Sequence, residues 1–531
     1  MVVFSSKINK NDNVFLQRQQ YMQSLLDQLD SFYAHQVGSL KPTYDLDQRS
    51  QLDVWTRIYK LIDHDSPFLE IMALAGDGQR PAGAVCGLGK VKQRWVVIFA
   101  SDPKILGGTL TVYVYQKWAR ALAIAKDNRL PYISLVESAG FDLRQTQALD
   151  KQLVMPHFGA TGKEFYDLTQ LSSAGIPTIA IVFGSATAGG AYQPGLSDYT
   201  IFIASQSQVY LAGPPLVKAA TGQTVDGESL GGARMHCHQS GLGDYYCQDE
   251  IEALMTCRTI VDHFEPQNAF NTSFNPPKFS LEDLLGWQDP DHKAPVDVKE
   301  LIVRFVDDSE FHVFKPDFGP EIECVFARLY GHEVGIIGNQ GVIFPNASKK
   351  AAHFIQLCNQ KNCPLIFLHN TTGFMVGKTY EEAGIIKNGA QLINAVSHSK
   401  VPHITLVFGA SYGAGTYAMS GQAFDNRFIF SWPNAKMDVM GDQQVAEVLG
   451  TLKENKAKRL NQPIDPQSHQ AYLATIRQSA CENANAFTKS RLCADDGIIH
   501  PKDTRHVLGL CCEIVSKEPI KGSKAYGVFR F

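Results

Sequence analysis

The chain makes the same turn twice. Residues 183–192 read FGSATAGGAY and residues 408–417 read FGASYGAGTY, and each turn follows a run of apolar residues. The longer stretches GIPTIAIVFGSATAGGAY and KVPHITLVFGASYGAGTY align without a gap, so that Pro177 matches Pro402. Farther upstream, LPYISLVESAG and CPLIFLHNTTG also align without a gap, at nearly the same separation along the chain. Two ordered matches at nearly equal separation predict an internal duplication.

Each copy reads as a strand, a glycine-containing turn, a helix, a proline, a second strand and a glycine-rich turn. Continuous apolar runs such as residues 179–183 are typical of strands that are buried on both faces of a parallel sheet. Alternation of such strands with helices predicts βαβ units with right-handed crossovers. We therefore predict an α/β fold made of two duplicated domains.

The length supports the same division. At 531 residues the chain exceeds the roughly 250–300 residues at which a single hydrophobic core stops growing. A stretch rich in Pro, Asn and Asp separates the two copies and predicts a connector. We expect a helical arm over residues 1–50, an N-terminal domain over 51–265, a connector over 266–300 and a C-terminal domain over 301–531.

The charge balance gives no indication of a particular class of partner. The formal net charge is −4, and no basic excess indicates nucleic acid. Residues 168–197 carry no charge, but Pro177, Pro194 and several glycines interrupt them, and a membrane span needs about 20 predominantly apolar residues. The first twenty residues have neither the apolar core of a signal peptide nor the Arg-rich composition of a transit peptide. We expect no membrane and no nucleic-acid partner.

Cysteine usage and phosphate motifs narrow the chemistry. The eleven cysteines contain no Cys-x-x-Cys pair, which indicates reduced thiols in a cytosol-like compartment. Cys237, Cys247 and Cys257 match no zinc pattern. GFMVGKT at residues 373–379 has three residues between its glycines, so it is not a P-loop. We predict no metal on this chain.

The glycine turns themselves suggest a site made of backbone. Such a turn lets a ligand approach the main chain closely, and the first N–H groups of the following helix have no partner within it. Those donors suit an oxyanion. Neither turn contains Asp, Glu, His or Cys, so any base must arrive with the substrate or a cofactor, and we do not expect a serine hydrolase. The alternative is that the glycines serve only tight packing.

Four further motifs establish a family resemblance: AGPPLVKAATG at 212–222, GFMVG at 373–377, WPNAKMDVMG at 432–441 and the terminal GVFRF. With the two turns, they resemble carboxyltransferase β subunits of biotin-dependent acyl-CoA carboxylases, above all the methylcrotonyl-CoA and geranyl-CoA branch. The resemblance covers about residue 66 to residue 531. It implies two crotonase-like domains of the ββα-superhelix type, the first for acyl-CoA and the second for carboxybiotin.

The resemblance also implies where the two substrates bind. A first oxyanion hole would hold the enolate of the acyl thioester, and a second would hold the ureido oxygen of biotin. These catalytic positions fall on Gly189 and Gly190, and on Ala414 and Gly415. The implied acyl-CoA contacts are Ala139, Gly140, Thr187, Ala188 and Lys218. The implied biotin contacts are Thr372, Gly373, Phe374, Tyr412, Gly413 and Tyr417. In this family the cofactor itself supplies the base.

The implied assembly has several components. The biotin would be carried by a partner α subunit that contains biotin carboxylase and biotin carboxyl carrier domains, and ATP and Mg would bind only there. Each active site would lie between the N-terminal half of one β subunit and the C-terminal half of another. The β subunits would form a hexameric core in an α6β6 complex. We expect a cytoplasmic location in a bacterium, or the mitochondrial matrix in a eukaryote.

The acyl group is less closely defined by the motifs. Tyr417 stands where the propionyl branch tends to have Asp, which favours a branched, unsaturated acyl chain and predicts 3-methylcrotonyl-CoA. VESAG and HNTTG depart from the VDSGG and QNITG of methylcrotonyl enzymes and favour geranyl-CoA, and His500 replaces a usual Asp. Propionyl-CoA or another acyl-CoA, a biotin-dependent decarboxylase subunit and a non-catalytic scaffold stay as alternatives, although two intact glycine pairs disfavour the last.

Overall fold

The computed structural model describes residues 4–38, 51–78, 80–141, 162–267 and 273–530. The chain forms two compact units. The N-terminal unit comprises Phe32–Ala269 and Arg491–Cys493, and the C-terminal unit comprises Met1–Ser31, Phe270–Ser490 and Ala494–Phe531. The first helix, α1, spans Asn13–Gly38 and contains the boundary between Ser31 and Phe32.

The N-terminal unit contains one mixed sheet. Its helices and strands follow the order α2 (Val54–Leu61), β1 (Leu69–Ile71), β2 (Ala84–Val91), β3 (Arg94–Ser101), α3 (Val112–Asn128), β4 (Tyr132–Ser138), α4 (Lys163–Ser173), β5 (Thr178–Thr187), α5 (Tyr192–Leu196), β6 (Tyr199–Ile203), β7 (Gln208–Tyr210), α6 (Pro214–Thr221), α7 (Gly227–Gly231), α8 (Ala233–Met235), β8 (Tyr245–Cys247) and α9 (Glu250–Asp262). The strands lie in the order β1-β2-β3-β4-β5-β6-β8, and β7 pairs with the end of β5.

The C-terminal unit repeats this plan. Its elements are α10 (Lys299–Phe305), β9 (Phe311–Val313), β10 (Ile322–Leu329), β11 (His332–Asn339), α11 (Pro345–Gln360), β12 (Leu365–Thr371), α12 (Lys378–Glu382), α13 (Ile385–His398), β13 (His403–Tyr412), α14 (Ala414–Ala418), β14 (Phe428–Ser431), β15 (Lys436–Asp438), α15 (Asp442–Arg459), α16 (Pro466–Ala484), α17 (Ala486–Arg491) and α18 (Thr504–Val515). Its strands lie in the order β14-β13-β12-β11-β10-β9, and β15 pairs with the end of β13.

The two sheets confirm the predicted duplication. An antiparallel hairpin, β2–β3 or β10–β11, is followed in each by parallel pairs through β4, β5 and β6, or through β12, β13 and β14. Both sheets also lose register at equivalent places. The shift falls between Val136 and Ser138 in one and between His369 and Thr371 in the other. The break lies where each strand approaches its glycine turn, so the same local geometry serves both turns.

The central strands form the cores. Residues 178–184 of β5 and all of β13 are buried, as expected for parallel strands covered by helices on both faces. Capping side chains fix where several helices begin. Asp53 accepts the N–H groups of Trp55 and Thr56 at the start of α2, and Asp249 accepts that of Glu252 in α9. The buried strands thus form the cores, and the caps fix the starts of α2 and α9.

A buried arginine ties helices to the sheet in the N-terminal unit. Arg57 of α2 donates to both carboxylate oxygens of Glu250 at 2.8 and 3.0 Å, and to Glu137 of β4 at 3.1 Å. All three side chains are almost fully buried. The guanidinium also lies 4.2 Å from the ring centroid of Phe183. Because Phe183 is the first residue of the stretch that contains the first glycine turn, this buried network supports that turn.

A buried carboxyl group lies beside β14, the first strand in the sheet order of the C-terminal unit. Residues 496–499 run along β14, where Asp496 accepts the Ile429 N–H at 2.8 Å. The preceding Asp495 is fully buried, and neither of its side-chain oxygens makes a well-formed hydrogen bond with the described residues. Burial raises the pKa of Asp495 to about 6, although the hydroxyls of Ser431 and Ser490 lie near enough to oppose the shift. Asp496 adds a like charge and raises the pKa further.

Replacing Asp495 with Asn is expected to stabilise the protein at neutral pH. A folded-state pKa of about 6 exceeds the unfolded value, so this carboxyl group favours the folded state most below about pH 4, and the benefit is lost as pH rises through 6. At pH 7.5 the variant should gain about 2–3 kcal/mol, and below pH 4 it should gain nothing. Thermal unfolding from pH 4 to 8 measures this. An equal gain at every pH would contradict the assignment.

The long uncharged stretch is part of the globular core. Residues 168–197 contribute most of α4, all of β5 and α5. Within the ranges that the structure describes, no helix combines the length and apolar character needed to cross a bilayer.

Candidate active site

The first turn leaves two adjacent backbone donors free. Strand β5 ends at Thr187, and a single 3-10 turn, Ala188–Ala191, leads into α5. Ala188 has a φ of 53°, in the left-handed region that residues with a side chain rarely adopt. In the described structure the N–H groups of Gly189 and Gly190 have no hydrogen-bond acceptor. Two neighbouring amide donors without a partner are what a ligand oxygen requires.

The second turn has the same arrangement at the equivalent place of the second copy. Gly413 stands in the position of Ala188 and also has a positive φ, of 55°. Its N–H donates to the Asp438 carbonyl at 3.0 Å, which fixes the turn to β15. Helix α14 begins at Ala414, and among the described residues neither the Ala414 nor the Gly415 N–H has an acceptor. Each unit therefore presents one pair of free amides.

A hydroxyl side chain packs beneath the first pair. Ser138, the last residue of β4, accepts the Gly140 N–H through its Oγ at 3.2 Å. A Cβ added to Gly190 would lie 2.9 Å from the Ser138 Cβ, too close for an ordinary contact. Gly190 must therefore be glycine for β4 and the turn to approach one another.

The second pair has the matching support. Thr371, the last residue of β12, accepts the Gly373 N–H through Oγ1 at 3.1 Å. A Cβ on Gly415 would lie 2.8 Å from the same oxygen. Sequence reasoning missed Ser138 and Thr371, but a signal existed, because the two residues match one another in the aligned stretches LPYISLVESAG and CPLIFLHNTTG.

The acyl-CoA residues implied by the resemblance lie around the first turn, with one exception. Gly140 has a φ of 90°, and a Cβ there would lie 3.1 Å from the Thr187 carbonyl oxygen and 3.6 Å from the Ala188 Cβ. Ala139 is exposed beside it. Lys218 is exposed on α6, a helix without buried residues that follows β7. The structure thus brings residues 139, 140, 187 and 188 together and leaves Lys218 on a neighbouring surface helix.

Most of the biotin residues implied by the resemblance lie around the second turn. Gly373 has a φ of 112°, and its Cα lies 3.2 Å from a Cβ added to Gly415. Thr372 is exposed beside it. The ring of Phe374 packs against Gly389, where an added Cβ would lie 3.0 Å from the ring. This group forms one edge of the second turn.

Two tyrosines complete that group. Tyr412 ends β13, and burial, followed by the charges of Asp442 and Asp438, raises the pKa of its phenol, so it stays neutral. Tyr417 of α14 is 49% exposed, and its ring lies 5.9 Å from that of Phe424. Tyr417 is therefore available to a bound group, whereas Tyr412 supports the strand end.

An apolar wall borders the first turn, and sequence reasoning did not find it. A Cβ on Gly189 would lie 3.7 Å from both the Leu110 and the Phe165 side chains. The Phe165 ring lies 5.4 Å from Tyr192 and 5.8 Å from Trp118. Such a wall suits an apolar acyl chain.

The histidine-containing stretch at residues 235–240 is helical rather than a simple turn, because Met235 ends α8 and His236–Ser240 form one turn of π-helix. The Nδ1 atom of His236 lies 2.8 Å from the Ser240 hydroxyl, and Nε2 lies 2.7 Å from the Val209 carbonyl oxygen. Both ring nitrogens are engaged by the protein. No group of three or more potential metal-ligating side chains occurs in the part of the chain that the structure describes.

Comparison with known proteins identifies the family. Residues 47–528 match the model of the carboxyl transferase domain, so the chain belongs to the carboxyl transferase family. It is a carboxyltransferase component of a biotin-dependent acyl-CoA carboxylase and belongs to the methylcrotonyl-CoA and geranyl-CoA branch. The duplicated crotonase-like fold agrees with this membership. Membership also implies that the biotin is carried on a partner subunit.

Three known proteins illustrate this family assignment. The "Probable biotin-dependent acyl-coenzyme A carboxylase beta2 subunit" of Mycobacterium tuberculosis is 45% identical, covering 99% of this chain and 100% of the relative. The "Biotin-dependent 3-methylcrotonyl-coenzyme A carboxylase beta1 subunit" of the same organism is 42% identical, covering 89% and 90%. The crystal structure of the P. aeruginosa geranyl-CoA carboxylase beta subunit has a TM-score of 0.88 at 36% identity and covers 100% of both chains.

Proposed function

We propose that this chain transfers a carboxyl group from biotin on a partner subunit to the carbanion of an acyl-CoA, with 3-methylcrotonyl-CoA as its substrate. The observation that carries the proposal is the pair of free amides in each unit, at equivalent positions of a duplicated fold. One pair suits the oxygen of each reactant. The family membership supplies the reaction class.

On the acyl side, we propose that Gly189 and Gly190 donate to the thioester oxygen. Removal of the acyl proton places negative charge on that oxygen, and two preorganised donors stabilise it near the transition state. Loss of one such donor typically costs about 2.7–4 kcal/mol of activation free energy. The wall of Leu110 and Phe165 would exclude water from the apolar acyl chain, and Ala139, Gly140, Thr187 and Ala188 would line the approach.

On the biotin side, the residues of the second turn fit the cofactor. The free amides of Ala414 and Gly415 would hold the ureido oxygen of the cofactor, since two preorganised donors suit an oxygen that gains negative charge. When bound, biotin supplies both the carboxyl group and the base. Positive φ angles at Gly373 and Gly413 let the backbone approach the ring closely, and Thr372, Phe374 and Tyr417 would lie beside it.

The acyl group is proposed from two sources. The 42% identity to a relative named for 3-methylcrotonyl-coenzyme A supports that substrate, and so does Tyr417 after the second turn. Geranyl-CoA is the second candidate, because the whole-chain similarity to a geranyl-CoA carboxylase beta subunit favours it. The two acyl groups share the unsaturated, branched end and differ in length.

The proposed assembly follows from the family resemblance. We propose an α partner with biotin carboxylase and biotin carrier domains, which alone binds ATP and Mg, and a hexameric β core in an α6β6 complex. Active sites would then lie between residues 51–265 of one β subunit and residues 301–531 of another. Nine of the eleven cysteines are buried thiols outside any disulfide, which suits a reducing compartment such as the cytoplasm.

The decisive experiment uses the complex. Co-purification with the cognate biotin-carrying subunit is followed by ATP-dependent bicarbonate fixation on methylcrotonyl-, geranyl-, propionyl- and acetyl-CoA. We expect the highest kcat/KM with 3-methylcrotonyl-CoA. A higher value with geranyl-CoA would transfer the assignment to the second candidate, and absence of turnover on all four would refute both.

A further inference from the structure

The two turns have equivalent backbone arrangements, but the layer of buried side chains beneath each turn differs. Beneath the first turn, Val136, Ala186 and Ala191 are buried members of one apolar cluster. The two gapless alignments between the copies place three polar residues at the equivalent positions of the second unit. These are His369, Ser411 and Thr416.

The three polar residues form a chain of hydrogen bonds. The Nε2 atom of His369 lies 2.5 Å from the Met419 carbonyl oxygen, and Nδ1 lies 3.0 Å from the Ser411 Oγ. The Ser411 Oγ lies 2.9 Å from the Thr416 Oγ1. His369 is 0% exposed and Ser411 is 1% exposed. These hydrogen bonds therefore connect the buried ends of β12 and β13 to helix α14.

The donor and the acceptor of each of these hydrogen bonds can be assigned by elimination. A carbonyl oxygen only accepts, so Nε2 of His369 must carry the proton. Burial lowers the pKa of His369 to about 4, so the ring is neutral at physiological pH and Nδ1 is an acceptor. The Ser411 hydroxyl must then donate to Nδ1, and the Thr416 hydroxyl must donate to Ser411.

These hydrogen bonds reach α14 at its middle residue, Thr416, and at its C-terminal end, Met419. Thr416 directly follows Gly415, the second of the free amides. The Met419 carbonyl follows the last helical residue, and the Met419 N–H donates to the Gly415 carbonyl at 3.1 Å. One imidazole thus fixes the middle and the C-terminal end of the short helix whose first amides form the second donor pair.

The motif around Ser411 also admits another interpretation. Residues 409–413 read Gly-Ala-Ser-Tyr-Gly, the spacing of a serine nucleophile, and Ser411 contacts a histidine. However, Ser411 is buried within β13, and it does not have the positive φ of a strained turn. Its hydroxyl is inaccessible to a substrate, so support of the turn is the better explanation.

We propose that His369 is a positioning residue for the biotin side, orienting the amides of Ala414 and Gly415 through Ser411 and Thr416. The inference rests on the proposed function of the second turn. A histidine that merely fills the core would contribute only stability. A positioning residue must also affect the order of α14 and the rate of transfer.

Three variants separate these roles in the complete complex. His369→Gln keeps both bonds, because its amide nitrogen donates to Met419 and its amide oxygen accepts from Ser411. His369→Leu removes both. Thr405→Val is the matched control. The Thr405 hydroxyl donates to the Ser420 carbonyl oxygen at 2.8 Å, two residues beyond α14. The Asn426 side chain also donates to this oxygen, so the oxygen keeps a partner in the variant.

We expect His369→Leu to lower kcat at least about tenfold without changing acyl-CoA affinity, since small misplacements of a catalytic group cost up to about 100-fold. His369→Gln should stay within about threefold of wild type, and Thr405→Val should keep kcat even if its melting temperature falls. Equal losses in the Leu and Val variants, or no rescue by Gln, would overturn the proposal.

Hydrogen–deuterium exchange tests the inference independently of activity. In His369→Leu, the amides of residues 413–419 should exchange about tenfold faster, whereas residues 188–194 of the first turn should not change. Unchanged exchange at residues 413–419 would refute the positioning role. If the wild-type complex carboxylates no acyl-CoA, the proposed function fails, and the exchange data still decide whether His369 holds the turn.

Discussion

Adding a methyl group to Gly190 is expected to lower kcat by about 100-fold or more with little change in the KM for acyl-CoA. The new Cβ would lie 2.9 Å from the Ser138 Cβ and 3.1 Å from its Oγ, so the peptide must move away from β4. The two N–H groups of the first turn would then no longer point at an oxygen that is charged only near the transition state. Gly415→Ala should act in the same way, because its Cβ would lie 2.8 Å from the Thr371 Oγ1.

Gly195→Ala provides the matched control for these variants. Gly195 lies in α5, a few residues after the first turn, and an added Cβ there meets nothing within 4 Å. Steady-state kinetics of the complex should give wild-type values for this variant. Near-normal turnover in Gly190→Ala and Gly415→Ala would show that these amides are not the catalytic donors.

Replacing Arg57 with Met is expected to destabilise the protein by about 3–5 kcal/mol. The change leaves Glu137 and Glu250 buried without their cation, since their side chains are only 4% and 6% exposed. It also removes the cation above the Phe183 ring. Thermal unfolding at pH 7 measures the loss.

Two further variants test the cause of that loss. Arg477→Met removes a surface ion pair with Asp442 and should leave the melting temperature unchanged. Adding Glu250→Gln to Arg57→Met should recover part of the stability, because one unpaired buried charge disappears. If the double variant is no more stable than Arg57→Met, lost packing rather than unpaired charge explains the effect.

Much of the fold could be predicted from the sequence because the relevant signals are local or periodic. The apolar runs that end in glycine turns predicted β5 and β13. The nearly equal separations between the two pairs of aligned stretches predicted the duplication that the two sheets confirm. The turns themselves were identified because glycine has few substitutes where φ is positive, as at Gly413.

The supports of the site could not be predicted because they join residues distant in sequence. Arg57 contacts carboxylates 80 and 193 residues away, and nothing in its local sequence marks it as buried. His369 and Ser411 are 42 residues apart, and their contact follows only once β12 and β13 are known to be parallel neighbours in a given register. Ser138 and Thr371 match one another in the aligned stretches, but their packing against Gly190 and Gly415 likewise joins residues distant in sequence.

The different layers beneath the two turns bear on the history of the chain. Both turns share their backbone and their hydroxyl supports, so those features date from the ancestral gene before it was copied and fused. Because the copies began identical, at least one of the two layers, apolar in one half and polar in the other, changed after the duplication. Under the proposed function, an ancestor with a single half would have presented the same turn to both reactants, and the divergence of the two supports would mark the specialisation of each turn for its own oxygen.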